Sequence, residues 1–366
     1  MKKLFFSLLA LALIAACGND TCTINGTVEN AENLPEGALV YLYEGQTAID
    51  SVAITDGAFV FKGEANPQKL YNVTVVYPDK TARDPRWRTS VIPEKGVLTV
   101  TLDEKESSVA GGKLNDELKA FQKSMQDIYA DYRQKAADIP DEDEEAGEAL
   151  YEETMAKIKE ASTEAIKKNP DNYIALNALQ NIIYDLDLEE FDEILGQCGK
   201  FVGETESVKR IHDCKVAEKA TAEGAMFVDF AGKTPEGEPI KLSDIVGKGK
   251  WVLADFWASW CGPCMREIPN IKRTHETLAG DKFTVLGVAV WETNGDNTKS
   301  AERMKEKEMT WPQIFVGDDK TPTDVYGIVG IPTMILFAPD GTIAKRGEAL
   351  RGEKMMETVR DIINNQ

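Results

Sequence analysis

Two cysteines three positions apart, in Cys261-Gly262-Pro263-Cys264, can carry dithiol–disulfide chemistry. One sulfur must be exposed as a thiolate and the other must lie close enough to bond to it. A helix N-terminus supplies both proximity and a positive dipole end. The strand-like run Leu253-Ala254-Asp255-Phe256-Trp257 leads through Ala258-Ser259-Trp260 into the pair. Cys261 is therefore expected at a helix start as the attacking thiolate, and Cys264 one turn inside as the buried resolving thiol. Resolution requires Cys264 to lose a proton in apolar surroundings, so a buried carboxylate of raised pKa is the expected helper. Asp255, on the incoming strand, and Glu267, three residues after Cys264 on the same helical face, are the two candidates. Trp260, beside Cys261, is expected to present an exposed ring to a substrate, whereas Trp87 and Trp291 read as packing residues.

The remaining chemistry-bearing residues are sparse. Only His212 and His275 are present and there is no second Cys-x-x-Cys, so a zinc ligand set fails on count. Met265 stands where covalent haem attachment needs His. No cofactor beyond a Cys261–Cys264 disulfide is expected. Cys198 and Cys214 are candidates for a structural disulfide between adjacent helices, and Cys22 is read as a leftover thiol in a flexible tether.

The elements that must position these residues fall into three regions of a multidomain chain of 366 residues. From 17 to 105, short β-rich runs alternate with turn residues: Thr23–Val28, Leu39–Tyr43, Ile49–Ile54, Ala58–Phe61, Tyr71–Tyr77 and Val97–Val100. Asp56-Gly57 is a hairpin signal, and the region predicts a small antiparallel β-sandwich or barrel without a function legible in it. Residues 106–215 turn helical, with Leu114, Leu118, Phe121, Met125, Ile128 and Tyr132 on one face. A second helix is expected after the acidic run 141–145, and a third after Asn169-Pro170-Asp171. From 216 to 366, strands and helices alternate as in an α/β fold: a leading hairpin from Met226–Phe230 and Pro239–Leu242, strands at Trp251–Trp257 and Phe283–Val290, and a helix between them.

With 62 Asp and Glu against 42 Lys and Arg, the formal net charge is −20, which disfavours a nucleic-acid partner. Most of that charge lies in the helical region and reads as solvated surface. At the N-terminus, Met1-Lys2-Lys3 precedes an apolar run too short to span a bilayer, the layout of a secretory signal over residues 1–16. Ile14-Ala15-Ala16-Cys17 resembles the bacterial lipoprotein box, and implies acylation of Cys17 and an extracytoplasmic, lipid-anchored protein of the cell envelope.

Residues 255–264, Asp-Phe-Trp-Ala-Ser-Trp-Cys-Gly-Pro-Cys, resemble the thioredoxin active site almost residue for residue. Pro269 matches the proline that kinks the active-site helix of that family, and Gly330-Ile331-Pro332-Thr333 matches its cis-proline loop. The resemblance implies a cis Ile331–Pro332 bond facing the sulfurs, with Trp260, Gly262, Pro263, Ile331 and Thr333 contacting an extended substrate segment. The leading hairpin, an insertion around Thr298–Lys307 and Cys-Met-Arg-Glu-Ile-Pro at 264–269 look like the extracytoplasmic branch related to TlpA and ResA. Glu267 matches that branch and Asp255 matches classical thioredoxin, so the proton carrier is open between them. Gly262-Pro263 is the dipeptide of reducing members. The implied activity is reduction of disulfides in exported proteins, with a membrane electron-donor protein for recharging. A peroxiredoxin-like peroxide reductase is the alternative enzyme, although Ala258 stands where it needs Thr. A non-enzymatic envelope binding protein on the same scaffold is the alternative without catalysis.

Overall fold

A computed structural model of the chain describes residues 20–77, 83–140 and 143–365. The expected signal segment and Cys17 lie outside the described residues. The chain divides into two compact units, residues 1–184 with 194–203 and residues 185–193 with 204–366.

The first unit opens with β1 (Thr21–Val28), β2 (Leu39–Glu44), β3 (Thr47–Ala53), β4 (Ala58–Glu64), β5 (Tyr71–Val76), β6 (Arg83–Val91), β7 (Gly96–Leu102) and β8 (Ser108–Ala110). They form two four-stranded sheets, β4-β1-β7-β8 and β3-β2-β5-β6. The pairs are antiparallel except β1 with β7, which run parallel. Alternation along each strand fills the core: β4 buries Phe59 and Phe61 and exposes Ala58, Val60 and Lys62. Phe59 and Phe61 join Ile24, Val40, Val73, Trp87 and Leu98. Asp56 and Gly57, both with positive φ (50° and 76°), make the tight connection from β3 to β4.

Cys22 departs from expectation. It belongs to β1 rather than to a tether, on the inward-facing register with Ile24 and Val28, and is only 3% exposed. Burial pushes its thiol up to about 11. Strand β6 was not legible in the sequence because Pro85 and the arginines around it break the alternation that marks β5 and β7.

Helices follow: α1 (Lys113–Ala136), α2 (Glu144–Lys168), α3 (Tyr173–Gln180), α4 (Leu188–Leu195), α5 (Lys200–Glu204) and α6 (Glu206–Ala220). Leu118, Phe121 and Met125 are the buried part of the expected α1 face. Asn115 ties α1 to the strand region, because its side chain accepts from the Ile92 N–H and donates to the Ile92 carbonyl, each at 2.9 Å. Asp143 caps α2 by accepting from the Ala146 N–H at 3.1 Å, and Asn172 caps α3 by accepting from the Ile174 N–H at 2.9 Å. The anticipated Cys198–Cys214 disulfide is not formed, and both are free thiols. Cys198 belongs to the first unit, in the bend between α4 and α5 with its Sγ 3.5 Å from the Ile194 carbonyl at the end of α4, whereas Cys214 is buried in α6 of the second unit.

The second unit is built on a seven-stranded sheet. Its strands are β9 (Ala231–Lys233), β10 (Pro239–Lys241), β11 (Trp251–Trp257), β12 (Phe283–Ala289), β13 (Gln313–Phe315), β14 (Thr333–Phe337) and β15 (Ile343–Arg346), in the order β10-β9-β13-β12-β11-β14-β15. The leading hairpin is thus shifted from the expected Met226–Phe230, which makes only an isolated bridge from Met226 to Thr342. Its register follows instead from the turn at Thr234–Gly237, where Gly237 has φ of 92°.

Helices α7 (Gly262–Leu278), α8 (Thr298–Glu306), α9 (Thr321–Val325) and α10 (Met355–Asn364) complete the unit. Central β11 is buried along its whole length and runs parallel to β12 and antiparallel to β14. Trp251, Leu253 and Trp257 point to one face, where Ile268 and Ile271 of α7 and Met355 and Val359 of α10 cover them. Val252, Ala254 and Phe256 point to the other, against Phe230, Tyr326 and Phe337. Helix α6 is held to this unit by Arg346, which donates to the Thr221 carbonyl and hydroxyl at 3.0 Å each and to the Tyr326 carbonyl at 2.9 Å. Gly327, with φ of 62°, lets the turn after α9 approach α6, since a Cβ there would sit 2.2 Å from the Cys214 carbonyl oxygen.

Candidate active site

The two motif cysteines meet at the junction of β11 and α7. Buried β11 delivers the chain to one end of the sheet, Ala258–Trp260 turns it, and Cys261 becomes the N-cap of α7 with non-helical φ and ψ of −79° and 100°. The Cys264 amide N–H donates to Cys261 Sγ at 3.1 Å. The two sulfurs are joined in a disulfide, with Cα atoms 5.3 Å apart. Gly262 and Pro263 between them are exposed. Cys261 itself is only 4% exposed and Cys264 1%, so the expected openness of Cys261 is not seen in the oxidised form. The reason is local: Cys261 packs into the apolar cluster under α7 together with Ala258, Cys264 and Ile268.

The Ile331–Pro332 peptide bond is cis, and the Ile331 carbonyl oxygen lies 3.7 Å from Cys261 Sγ. Thr333 starts β14, and its hydroxyl donates to the Gly330 carbonyl at 2.7 Å, closing the loop that carries the proline. Beside this loop Val329 and Gly330 are exposed. Trp260 is 58% exposed, with its indole N–H donating to the Trp291 carbonyl at 3.0 Å. Cys261, the cis-proline loop and an exposed indole thus lie together at one end of the sheet.

The carboxyl groups sit behind the sulfurs. Strand alternation turns Asp255 to the same face as Leu253 and Trp257, the face that α7 covers. It is fully buried, and neither oxygen has a hydrogen-bond partner among the described residues. Desolvation, reinforced by the charge of Glu267 and opposed by that of Arg351, raises its pKa from 3.8 to about 8. Its strand neighbours across the register are Gly287 of β12 and Met334 of β14, neither of which carries charge. Glu267, one turn along α7 from Cys264, is held by the Gly352 N–H at 3.1 Å and by the Asn270 amide at 3.2 Å. Arg351 Nε lies 3.8 Å from its other oxygen.

Several residues around the site carried no signal in the sequence reading. Glu292, after β12, is 3% exposed and accepts from the Ser259 N–H at 2.6 Å, the Ser259 hydroxyl at 2.8 Å and the Ser300 hydroxyl at 2.7 Å. Trp291, read as simple packing, is partly buried, has φ of 55° and supplies the carbonyl that receives Trp260. Gln313 accepts from the buried Trp257 indole at 3.1 Å, in space left by Gly287, whose Cβ would lie 2.0 Å from the Gln313 oxygen. A charged residue directly after an apolar strand was the available sign for Glu292. Among the described residues, no group of three or more His, Cys, Asp or Glu could hold a metal ion.

Comparison with known proteins bears on this arrangement. Residues 224–346 match the AhpC/TSA family, and residues 22–118 match a domain of unknown function (DUF4369). Thiol-disulfide oxidoreductase ResA of Geobacillus thermodenitrificans is 32% identical over 126 residues, which span 34% of this chain and 69% of that protein. Thioredoxin-like protein YneN of Bacillus subtilis is 31% identical over 153 residues, 40% of this chain and 82% of that protein. ResA of Bacillus subtilis is 28% identical over 148 residues, 40% of this chain and 78% of that protein. An enzyme built on a thioredoxin-like domain, rather than a binding protein on an inert scaffold, is what these matches and the joined cysteines describe, and the chain belongs to the ResA-like thiol-disulfide oxidoreductases of the thioredoxin-like superfamily.

Proposed function

We propose that this oxidoreductase works as a reductase of disulfides in exported proteins, anchored outside the cytoplasm by a lipid on Cys17. The single observation that carries the reductive step is the Cys261–Cys264 pair capping α7, with the cis-proline loop beside it and Asp255 buried on the α7 side of the sheet. In the reduced enzyme, the α7 N-terminus and the Cys264 N–H favour Cys261 as thiolate.

Cys261 attacks a substrate disulfide. A Cys261–substrate disulfide forms, the substrate S–S bond breaks, and one substrate thiolate leaves and takes up a proton. Cys264 then gives its proton to Asp255 and attacks Cys261 Sγ. The second substrate sulfur departs as a thiolate and takes up a proton, Asp255 gives its proton back to solvent, the Cys261–Cys264 disulfide closes, and two electrons have passed to the substrate. Trp260, Gly262, Pro263, Ile331 and Thr333 line the surface on which an extended substrate segment would lie, with Ile331 and Thr333 offering backbone groups. Recharging needs an external dithiol, which in an oxidising compartment implies a membrane electron-donor protein. Among the described residues no helix is long and apolar enough to cross a membrane.

The test is reduction of insulin disulfides by purified protein with a dithiol donor. Activity that survives in Cys261→Ser would overturn the assignment. Peroxide consumption in place of insulin reduction would move the chain to the peroxide-reducing branch. Incorporation of labelled palmitate that persists in Cys17→Ala would remove the anchor from the proposal.

A further inference from the structure

We infer that Glu292, outside the cysteine motif, is a positioning residue that mounts the Ser259–Trp260 loop, and that preference for polypeptide disulfides over small ones depends on it. This rests on the reading of Cys261–Cys264 as a disulfide-reducing pair.

The geometry is that of a two-point mount made by consecutive residues. Trp291 gives its carbonyl to the Trp260 indole N–H at 3.0 Å, and Glu292 gives its carboxyl group to the Ser259 N–H at 2.6 Å and the Ser259 hydroxyl at 2.8 Å. The mount is itself braced. The Glu292 N–H donates to the Gly317 carbonyl at 2.9 Å, the Trp291 indole donates to Thr323 at 3.2 Å, and Ser300 of α8 donates its hydroxyl to Glu292 at 2.7 Å. Through Ser300, the helix inserted between β12 and β13 is joined to the loop that precedes Cys261.

Two features mark this as more than ordinary packing. A carboxyl group 3% exposed is costly unless its acceptor sites are filled, and here three donors fill them. Trp291 holds a left-handed φ of 55°, an unfavourable conformation for a bulky side chain, at the point where its carbonyl must face Trp260. What the mount presents is an indole 58% exposed, next to sulfurs that are almost covered. A polypeptide can lay an apolar side chain on that ring while its disulfide approaches Cys261. A small disulfide has no segment to place there, and so gains nothing from holding the ring still.

The experiment follows oxidation of the reduced protein by stopped-flow fluorescence, with insulin as polypeptide disulfide and hydroxyethyl disulfide as small one. Glu292→Ala should lower the second-order constant for insulin about tenfold and change that for hydroxyethyl disulfide by less than about twofold, as loss of hydrogen bonds at the mount implies. Glu292→Gln should recover most of the insulin rate, because its amide oxygen can accept from Ser259 N–H and Ser300 while its NH₂ donates to a turned Ser259 hydroxyl. A fall shared equally by both disulfides, or an unchanged insulin rate, overturns the inference. Should Glu292→Ala not fold, Ser300→Ala removes one donor at the same carboxyl group, and it must slow insulin more than hydroxyethyl disulfide or the inference fails. Wild-type protein that reduces neither disulfide would instead defeat the reductase reading on which this one stands.

Discussion

Asp255 at the centre of β11 and Glu267 on α7 form an unequal carboxylate pair: the first is fully buried without a hydrogen-bond partner, and the charge of the second pushes its pKa higher still. Glu267 is tied down by the Gly352 N–H, the Asn270 amide and the nearby Arg351 guanidinium. One carboxyl group is therefore poised to exchange a proton near neutral pH, while the other is anchored.

Asp255→Asn should slow resolution of the mixed disulfide by about a hundredfold near neutral pH, the scale of a lost general base. In the wild type the resolution rate should climb with pH through about 8, where Asp255 ionises, and that step should vanish in the variant. Single-turnover kinetics against pH check both statements. A variant with an unaltered profile would give the proton to water.

The same shift has a stability consequence of definite sign. The folded-state pKa of Asp255 is raised from 3.8 to about 8, so its contribution is most favourable below pH 3.8 and is lost as pH rises toward 8. Asp255→Asn should thus stabilise the oxidised protein at pH 8 by on the order of a few kcal/mol and leave it nearly unchanged at pH 4. Thermal unfolding at the two pH values measures the difference.

Glu267→Gln and Arg351→Gln should move the Asp255 ionisation in opposite directions. Removing the Glu267 charge lowers the midpoint of the pH profile, and removing the Arg351 charge raises it, because the first opposes ionisation of Asp255 and the second favours it. Equal shifts in one direction would mean that packing, not charge, governs the profile.

Cys264→Ser should accumulate a covalent complex on Cys261, since the first exchange proceeds and the second cannot. Non-reducing electrophoresis followed by mass spectrometry of the trapped partner reads this out and names the substrate. Cys261→Ser should trap nothing.

Peptide mapping of the unreduced protein should find Cys198 and Cys214 unlinked, as both are free. Cys22 should resist alkylation in the native protein and react only with unfolding, because its buried thiol is held up at about 11. Rapid native labelling of Cys22 would contradict its place in β1.

The redox centre was legible in the sequence because its chemistry is local. Four consecutive residues after an apolar strand are enough to place Cys261 at a helix start and Cys264 one turn inside, and the run Gly330-Ile331-Pro332-Thr333 points to the cis bond. Alternation in β4 and the spacing of Leu118, Phe121 and Met125 in α1 are likewise short-range signals, and they located a β region and a helical one.

What chain positions cannot encode singly, only the tertiary structure decided. The sequence placed Cys214 in a helical region without giving that helix its bounds or its neighbour; Arg346 and the turn at Gly327 assign it to the second unit, and Cys198 falls in the first. Alternation could not tell that Cys22 is an inward-facing residue of β1, because its register depends on pairing with β4 and β7. Glu292 reaches Ser259 across 33 residues, and Arg351 and Gly352 reach Glu267 from beyond β15. Those contacts set the burial and charge around the site, and they form only when the sheet brings distant segments together.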